Sequence, residues 1–297
     1  MRATPAAHLL ADFVDRNQQL ADFVQLTEKR GGILCLWGPG GIGKSTLVSR
    51  LTEECNLRHM QWVHVEWRDS RLYGYLDFMR RVRDETQKEL FFSFNDVVNF
   101  YTVPQYRLKI EAACSPIGNV KVEIGDVSNS EVEIQVGHKI VVRDLMLQAQ
   151  RPDQGVSENT VMIEVTNAFF RCLAECIRKA KLVIFCDAME KADSRMTAWL
   201  CGELLTRIRD GELTNLLVVL AAREPLPIDP SFAQFAVEHQ LQGLDTCHVL
   251  EYLEKKGVSD GDLLAEFLAT EYNGNPLRIA SSVNAFLRGR VGMSGRA

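Results

Sequence analysis

The run Ile33-Leu34-Cys35-Leu36-Trp37-Gly38-Pro39-Gly40-Gly41-Ile42-Gly43-Lys44-Ser45-Thr46 decides how the rest of the chain is read. Ile33 to Trp37 is unbroken apolar sequence bounded by glycines on both sides, the pattern of a strand buried on both faces of a parallel sheet. Ser45 to Glu54 then places Leu47, Val48 and Leu51 on one helical face. Between strand and helix, Gly38 to Ser45 satisfies G-x-x-x-x-G-K-[ST] in the context that motif requires. Its glycines let the backbone curl so that N–H groups and the helix N-terminus face phosphate oxygens, where the helix dipole also favours negative charge. Lys44 adds a mobile cation for the β- and γ-phosphates, and the Ser45 hydroxyl is a hard oxygen suited to Mg²⁺. Gly38, Pro39, Gly40, Gly41, Ile42, Gly43, Lys44, Ser45 and Thr46 are therefore expected to hold the phosphates of ATP.

Outward from this loop the pattern alternates between helices and short apolar strands. Leu9 to Leu26 has helical spacing, with Leu20, Phe23, Val24 and Thr27 on one face, and it ends at Gly31-Gly32. Trp62 to Trp67 reads as a strand, followed by a helical stripe of Tyr75, Leu76, Met79 and Val82. Val165, Phe169, Cys172, Leu173, Cys176 and Ile177 precede a strand at Leu182 to Cys186. Trp199, Leu200, Leu204 and Ile208 precede another at Leu216 to Leu220. Such alternation implies an α/β fold with a parallel sheet, the P-loop NTPase architecture.

Between the halves, Val120 to Ile124 and Val132 to Val136 alternate apolar and polar residues around turn-forming sequence, which predicts a β-rich insertion; residues 151–159 read as its exit linker. From Pro225 onward strands are expected to stop. Helical segments at Cys247 to Lys256 and Leu263 to Tyr272, with Gly257 and Gly274 as C-caps, predict a small helical lid. The expected organisation is a nucleotide-binding core over 1–90 and 160–225, the insertion over 91–159 and the lid over 226–297.

The apolar strand Leu182 to Cys186 runs into Asp187, where a phosphate-loop protein needs a carboxylate to hold the Mg²⁺ shell. Asp is also a common turn former at strand ends; the upstream loop favours the metal role. Glu190 is placed to orient or deprotonate a water, its alternative being a favourable acid near a helix start. Arg223 follows the strand Leu216 to Leu220, where it would sense the γ-phosphate or simply be solvated. Asn275-Pro276 suits a helix start on local grounds alone.

With 34 Lys plus Arg against 39 Asp plus Glu the net charge is −5, which argues against general nucleic-acid binding. The cluster Arg80-Arg81-Arg83 lies beside Asp77, Asp84 and Glu85 and reads as a solvated face. Eight cysteines form no CxxC pair, the six histidines show no zinc spacing, and no segment has the length and apolarity to span a bilayer. A cytoplasmic protein without membrane attachment or a protein-ligated zinc is expected.

The ordered motifs Phe13-Val14-Asp15-Arg16, the glycine loop, Asp187-Ala188-Met189-Glu190-Lys191, Arg223 and Gly274-Asn275-Pro276-Leu277 resemble the STAND branch of the AAA+ ATPases, which includes the NB-ARC and NACHT switch proteins. The resemblance implies that Val14 and Arg16 lie near the adenine, with Asp15 in place of the family's glycine, and that Pro276 packs on the base. It implies a slowly hydrolysing ATP/ADP switch with Mg²⁺ that forms a homo-oligomer when active and works with a protein partner or effector domain. In many members a second acid directly follows the first; Ala188 stands there in this chain. That departure favours an alternative, a non-hydrolysing ADP-locked adaptor. A mechanical AAA+ enzyme acting on DNA is a third reading, which the acidic balance disfavours.

Overall fold

The computed structural model describes residues 13–68, 74–102, 105–109, 146–150, 157–258 and 261–294. It falls into two compact units, one of residues 1–88 and 174–297, the other of 89–173.

In the first unit, β1 (Gly32–Trp37), β2 (Gln61–Glu66), β5 (Leu182–Asp187), β6 (Leu216–Ala222) and β7 (Ala236–Gln240) form an all-parallel sheet in the order β2-β5-β6-β1-β7, the P-loop NTPase fold. Every residue of β5 and β6 is buried, which is why these strands read as continuous apolar sequence. On one face Leu34, Leu36, Val183, Phe185, Leu217 and Val219 recur at period two against Phe23 and Leu26 of α1 (Asn17–Glu28) and Leu47, Val48 and Leu51 of α2 (Lys44–Leu57). On α3 (Tyr75–Glu85) the basic cluster is paired with neighbouring acids, Arg81 with Glu85 at 2.6 Å and Arg83 with Asp84 at 2.9 Å.

The strands do not stop at Pro225. Ala236–Gln240 is a fifth strand, docked on the free edge of β1 and extended by Leu241 N–H donating to the Trp37 carbonyl at 2.7 Å. Its sequence hides it, because an edge strand with one exposed face keeps Glu238 and Gln240 among few apolar residues. The N-terminal helical pattern is interrupted at Asp15 and Arg16, with φ of 63° and 73°, just before α1 starts at Asn17; its part before residue 13 lies outside the described residues. The helix expected over Trp199 to Ile208 is present as one continuous helical run, α6 (Ser194–Trp199), a π-helical stretch Leu200–Leu205 and α7 (Thr206–Arg209).

After β7 comes the helical lid of α8 (Thr246–Lys255), α9 (Asp262–Glu271) and α10 (Pro276–Ser294). Val249, Leu253, Ala265, Leu268, Ile279 and Val283 form its core. Gly274 closes α9 at φ 64°, and its carbonyl accepts from Leu244 N–H at 2.8 Å.

In the second unit α4 (Phe92–Thr102) is a helix where the sequence suggests the start of the β-rich segment, β3 (Gln105–Lys109) pairs antiparallel with β4 (Met146–Gln150), and α5 (Glu158–Lys179) begins. Phe91, Phe94 and Phe169 pack together there at 5.7 to 6.3 Å. The strands expected at Val120 to Ile124 and Val132 to Val136 lie outside the described residues, as does most of the 151–159 linker. No helix of the described residues is long and apolar enough to cross a membrane.

Two stability outcomes follow. At Gly274 an added Cβ would collide with the Leu244 carbonyl oxygen at a backbone conformation disfavoured for L side chains, so Gly274→Ala is expected to cost at least about 2 kcal/mol in urea denaturation. His64 on β2 is held below its ordinary 6.5, chiefly by burial, which outweighs the opposing pull of Asp187, Glu66 and Glu85. As pH falls through 6.5 the unfolded chain takes up a proton that the folded site resists, so stability drops toward acid. His64→Leu is expected to flatten that part of the stability profile between about pH 7 and 5.

Candidate functional site

The carboxyl ends of parallel strands deliver their following residues to one crevice, and in this sheet β1, β2, β5 and β6 deliver the glycine loop, Glu66 to Arg68, Asp187 and Arg223. Gly43, at φ 96°, is the N-cap of α2, so the helix N-terminus opens directly from the loop. Lys44 folds back, its Nζ donating to the carbonyls of Gly38 at 2.6 Å and Pro39 at 3.0 Å. Burial pushes the Lys44 pKa down, and the nearby carboxylates of Glu190 and Asp187 oppose the shift while Arg223 and Arg68 add to it.

Asp187 is buried at the tip of β5. Its Oδ1 accepts from Ala188 N–H at 2.7 Å, in a turn where Ala188 is left-handed at φ 58°. Its Oδ2 is buried and accepts no hydrogen bond. Leaving a buried carboxylate oxygen unsatisfied is costly, which fits a group kept for a cation. Glu190, on a short 3₁₀ turn Met189–Lys191, pairs with Arg223 at 3.0 Å. The Arg223 guanidinium lies about 4.0 Å from where a Cβ on Gly40 would stand, so it borders the loop. Ser45 Oγ accepts from Arg68 Nη2 at 3.2 Å, and Arg68 also pairs with Glu66 at 2.6 Å. The structure thus gathers Lys44, Ser45, Asp187, Glu190 and Arg223, all named from sequence, and adds Glu66 and Arg68, which sequence reasoning passed over. The signal for Glu66 was available in principle: a carboxylate ending a parallel strand, as Asp187 does.

The N-terminal segment and the lid complete the surround. Arg16 is buried; its Nη2 donates to the carbonyls of Ile42 at 3.2 Å and Gln242 at 2.7 Å, and its Nη1 to Asp15 at 2.8 Å. Burial lowers the Arg16 pKa against the pull of Asp15. Asp15 adopts φ 63°, a conformation Asp tolerates better than most residues. Phe13 packs against the sheet core and Val14 sits in the lid core, so this short segment joins the two.

On the lid, Asn275 caps α10 by accepting from Arg278 N–H at 3.2 Å and donates to the Gly40 carbonyl at 3.0 Å. Leu277 N–H donates to the Gly41 carbonyl at 3.2 Å. A Cβ on Gly41, at φ 79°, would stand 2.9 Å from Asn275 Oδ1 and 3.0 Å from Leu277 Cβ, so only glycine permits this approach. Pro276 borders the loop as well, its Cγ 4.0 Å from a Cβ placed on Gly43.

Comparison with known proteins comes to the same architecture. The family model described as AAA ATPase domain matches residues 12–219, well over half of the chain. Cdc6p from Pyrobaculum aerophilum superposes with a TM-score of 0.52 at 10% identity, covering 98% of this chain and 67% of that one. A Signal Transduction ATPase with Numerous Domains carrying a tetratricopeptide-repeat sensor, from Pyrococcus horikoshii, gives 0.43 at 12% identity, covering 90% of this chain and 29% of that one. The Orc1 protein of Aeropyrum pernix, solved with DNA, gives 0.43 at 13%, covering 97% of this chain and 63% of that one. At 10% identity the likeness to Cdc6p is one of fold. A search of curated proteins finds no match to the sequence.

The shared role of Asn275 is separable by substitution. Asn275→Ala removes both the cap and the donor to Gly40 and is expected to cost about 1 to 2 kcal/mol in chemical denaturation. Asn275→Ser keeps a capping oxygen, loses the donor to Gly40, and is expected to cost less than about 1 kcal/mol.

Proposed function

Because the chain belongs to the AAA ATPase domain family, we propose that it is a nucleotide-dependent molecular switch of the STAND type, binding ATP or ADP with Mg²⁺ and hydrolysing ATP slowly. The observation that carries this reading is the direct bonding of the lid to the phosphate loop, Asn275 to Gly40 and Leu277 to Gly41. A loop that rearranges around phosphates would thereby move the lid, which is what a switch requires.

In this reading Gly38 to Thr46 wraps the phosphates. Lys44 exchanges the carbonyls of Gly38 and Pro39 for phosphate oxygens, which also relieves its desolvation. Ser45 and Asp187 would hold Mg²⁺, which would supply positive charge to neutralise charge developing on the phosphates. The orphaned Asp187 Oδ2 fits that task. Arg223, drawn to the γ-phosphate, releases Glu190, and Glu190 then orients or deprotonates water. The ion pair at 3.0 Å is the contact through which each would sense the other. Val14, Arg16 and Pro276 flank the base, Arg16 by fixing the turn beside the loop. Residues 1–90 and 160–225 together with β7 form the nucleotide-binding core, 91–159 an insertion and the helices after β7 the lid. The active form associates as a homo-oligomer in the cytoplasm and passes its state to a protein partner.

A second reading is favoured by Ala188, which leaves the position after Asp187 without an acid, and by Glu190 being held by Arg223. The chain is then an ADP-locked adaptor that does not turn over.

Phosphate release from ATP separates the two. The switch is expected to turn over slowly, Lys44→Ala to lose nucleotide binding, and Glu190→Gln to bind Mg-ATP normally while turnover falls by about a hundredfold. Retained ADP with no turnover in the wild-type chain supports the adaptor.

A further inference from the structure

Three oxygens on different elements share one guanidinium at the edge of the crevice. Arg68 lies on the turn after β2. Its Nη2 donates to Ser45 Oγ at 3.2 Å and stands 3.6 Å from Asp187 Oδ2, and its Nε meets Glu66 Oε1 at 2.6 Å. The strands bring the two carboxylates together, for Glu66 and Asp187 are register partners at the ends of β2 and β5. The Asp187 side chain is only 3% exposed and its Oδ2 accepts no hydrogen bond, so the nearby guanidinium charge is what this oxygen faces.

We propose that Arg68 is an internal stand-in for the divalent cation: it bridges Ser45, Glu66 and Asp187, and it must leave before a metal can bind there. The inference rests on the reading of Ser45 and Asp187 as metal-holding residues. Arginine suits such a role because it cannot be deprotonated and its fork reaches several oxygens at once. It is also displaceable. Arg68 is 55% exposed and sits on a turn, so it can swing outward; its bond to Glu66 is half-solvated, and the charge it withdraws from the buried Asp187 oxygen is the charge the metal replaces. A divalent ion carries twice the charge and prefers hard oxygen ligands, so it wins the exchange once phosphates add their own oxygens.

Displacement has a second consequence. Glu66 loses its closest cation and becomes the carboxylate beside Asp187 that can hold a water of the metal shell. It would act as a positioning residue where Ala188 offers no acid. The competition keeps the three oxygens paired without nucleotide and makes metal uptake depend on phosphate arriving with it.

The test is Mn²⁺ binding, followed by electron paramagnetic resonance, to the full chain with a non-hydrolysable ATP analogue, alongside analogue binding in EDTA. Arg68→Gln removes the charge and is expected to tighten Mn²⁺ by about two- to fivefold, the scale of a half-exposed ion pair, without raising analogue affinity in EDTA. Arg68→Ala should shift it in the same direction, which covers the case in which glutamine makes a bond of its own. Arg68→Lys, keeping the charge, should stay within about twofold of wild type. Unchanged or weaker Mn²⁺ binding in both neutral variants overturns the proposal. If the wild-type chain binds no analogue with or without Mn²⁺, the phosphate-site reading itself falls, and the role of Arg68 with it.

Discussion

The loop from Gly38 to Ile42 is held by its carbonyl oxygens. Lys44 takes those of Gly38 and Pro39, Asn275 that of Gly40, the backbone N–H of Leu277 that of Gly41, and Arg16 that of Ile42. These donors come from the helix the loop opens, from the lid and from the N-terminal segment. A glycine-rich loop has high conformational entropy of its own, so an ordered arrangement depends on external donors. The arrangement fixes how the rest of the unit must sit. The lid has to approach within contact of Gly41, the segment before α1 has to pass beside Ile42, and β7 has to end where Gln242 can share Arg16.

The sheet provides the other half of the constraint. Parallel strands buried on both faces need little from their sequence beyond apolar bulk, and their carboxyl ends collect charged residues into one crevice. Around the loop stand Lys44, Arg68 and Arg223 against Glu66, Asp187 and Glu190, paired with one another or with backbone oxygens. Such a network pairs its charges but leaves Asp187 Oδ2 without a hydrogen bond, and it would be reordered by an added anion and cation. The ion pairs at the rim are half-exposed and therefore weak, while Asp187 is buried, so reordering falls on the rim.

Much of this was legible in the sequence for a physical reason. Buried strands announce themselves as apolar runs, and the motif from Gly38 to Ser45 specifies a backbone shape that few other residues permit. Asp187, Glu190 and Arg223 were readable because each follows such a strand. What escaped was whatever depends on how strands lie side by side. Glu66 acquires meaning only when β2 is placed next to β5, and Arg68 only when the turn after it is closed. Asn275 reads as a helix cap, which it is, but its bond to Gly40 belongs to tertiary approach. The edge strand Ala236–Gln240 hid because half-solvated strands carry polar residues. Asp15 stands where the resemblance expects glycine, and only the structure shows that its backbone is left-handed.

Calorimetric titration of nucleotide-stripped protein with ATP and with ADP, in Mg²⁺, tests the central claim most directly. The account predicts one saturable site per chain for an adenine nucleotide, lost in Lys44→Ala. Absence of binding for both nucleotides, or binding that Lys44→Ala leaves unchanged, would contradict it.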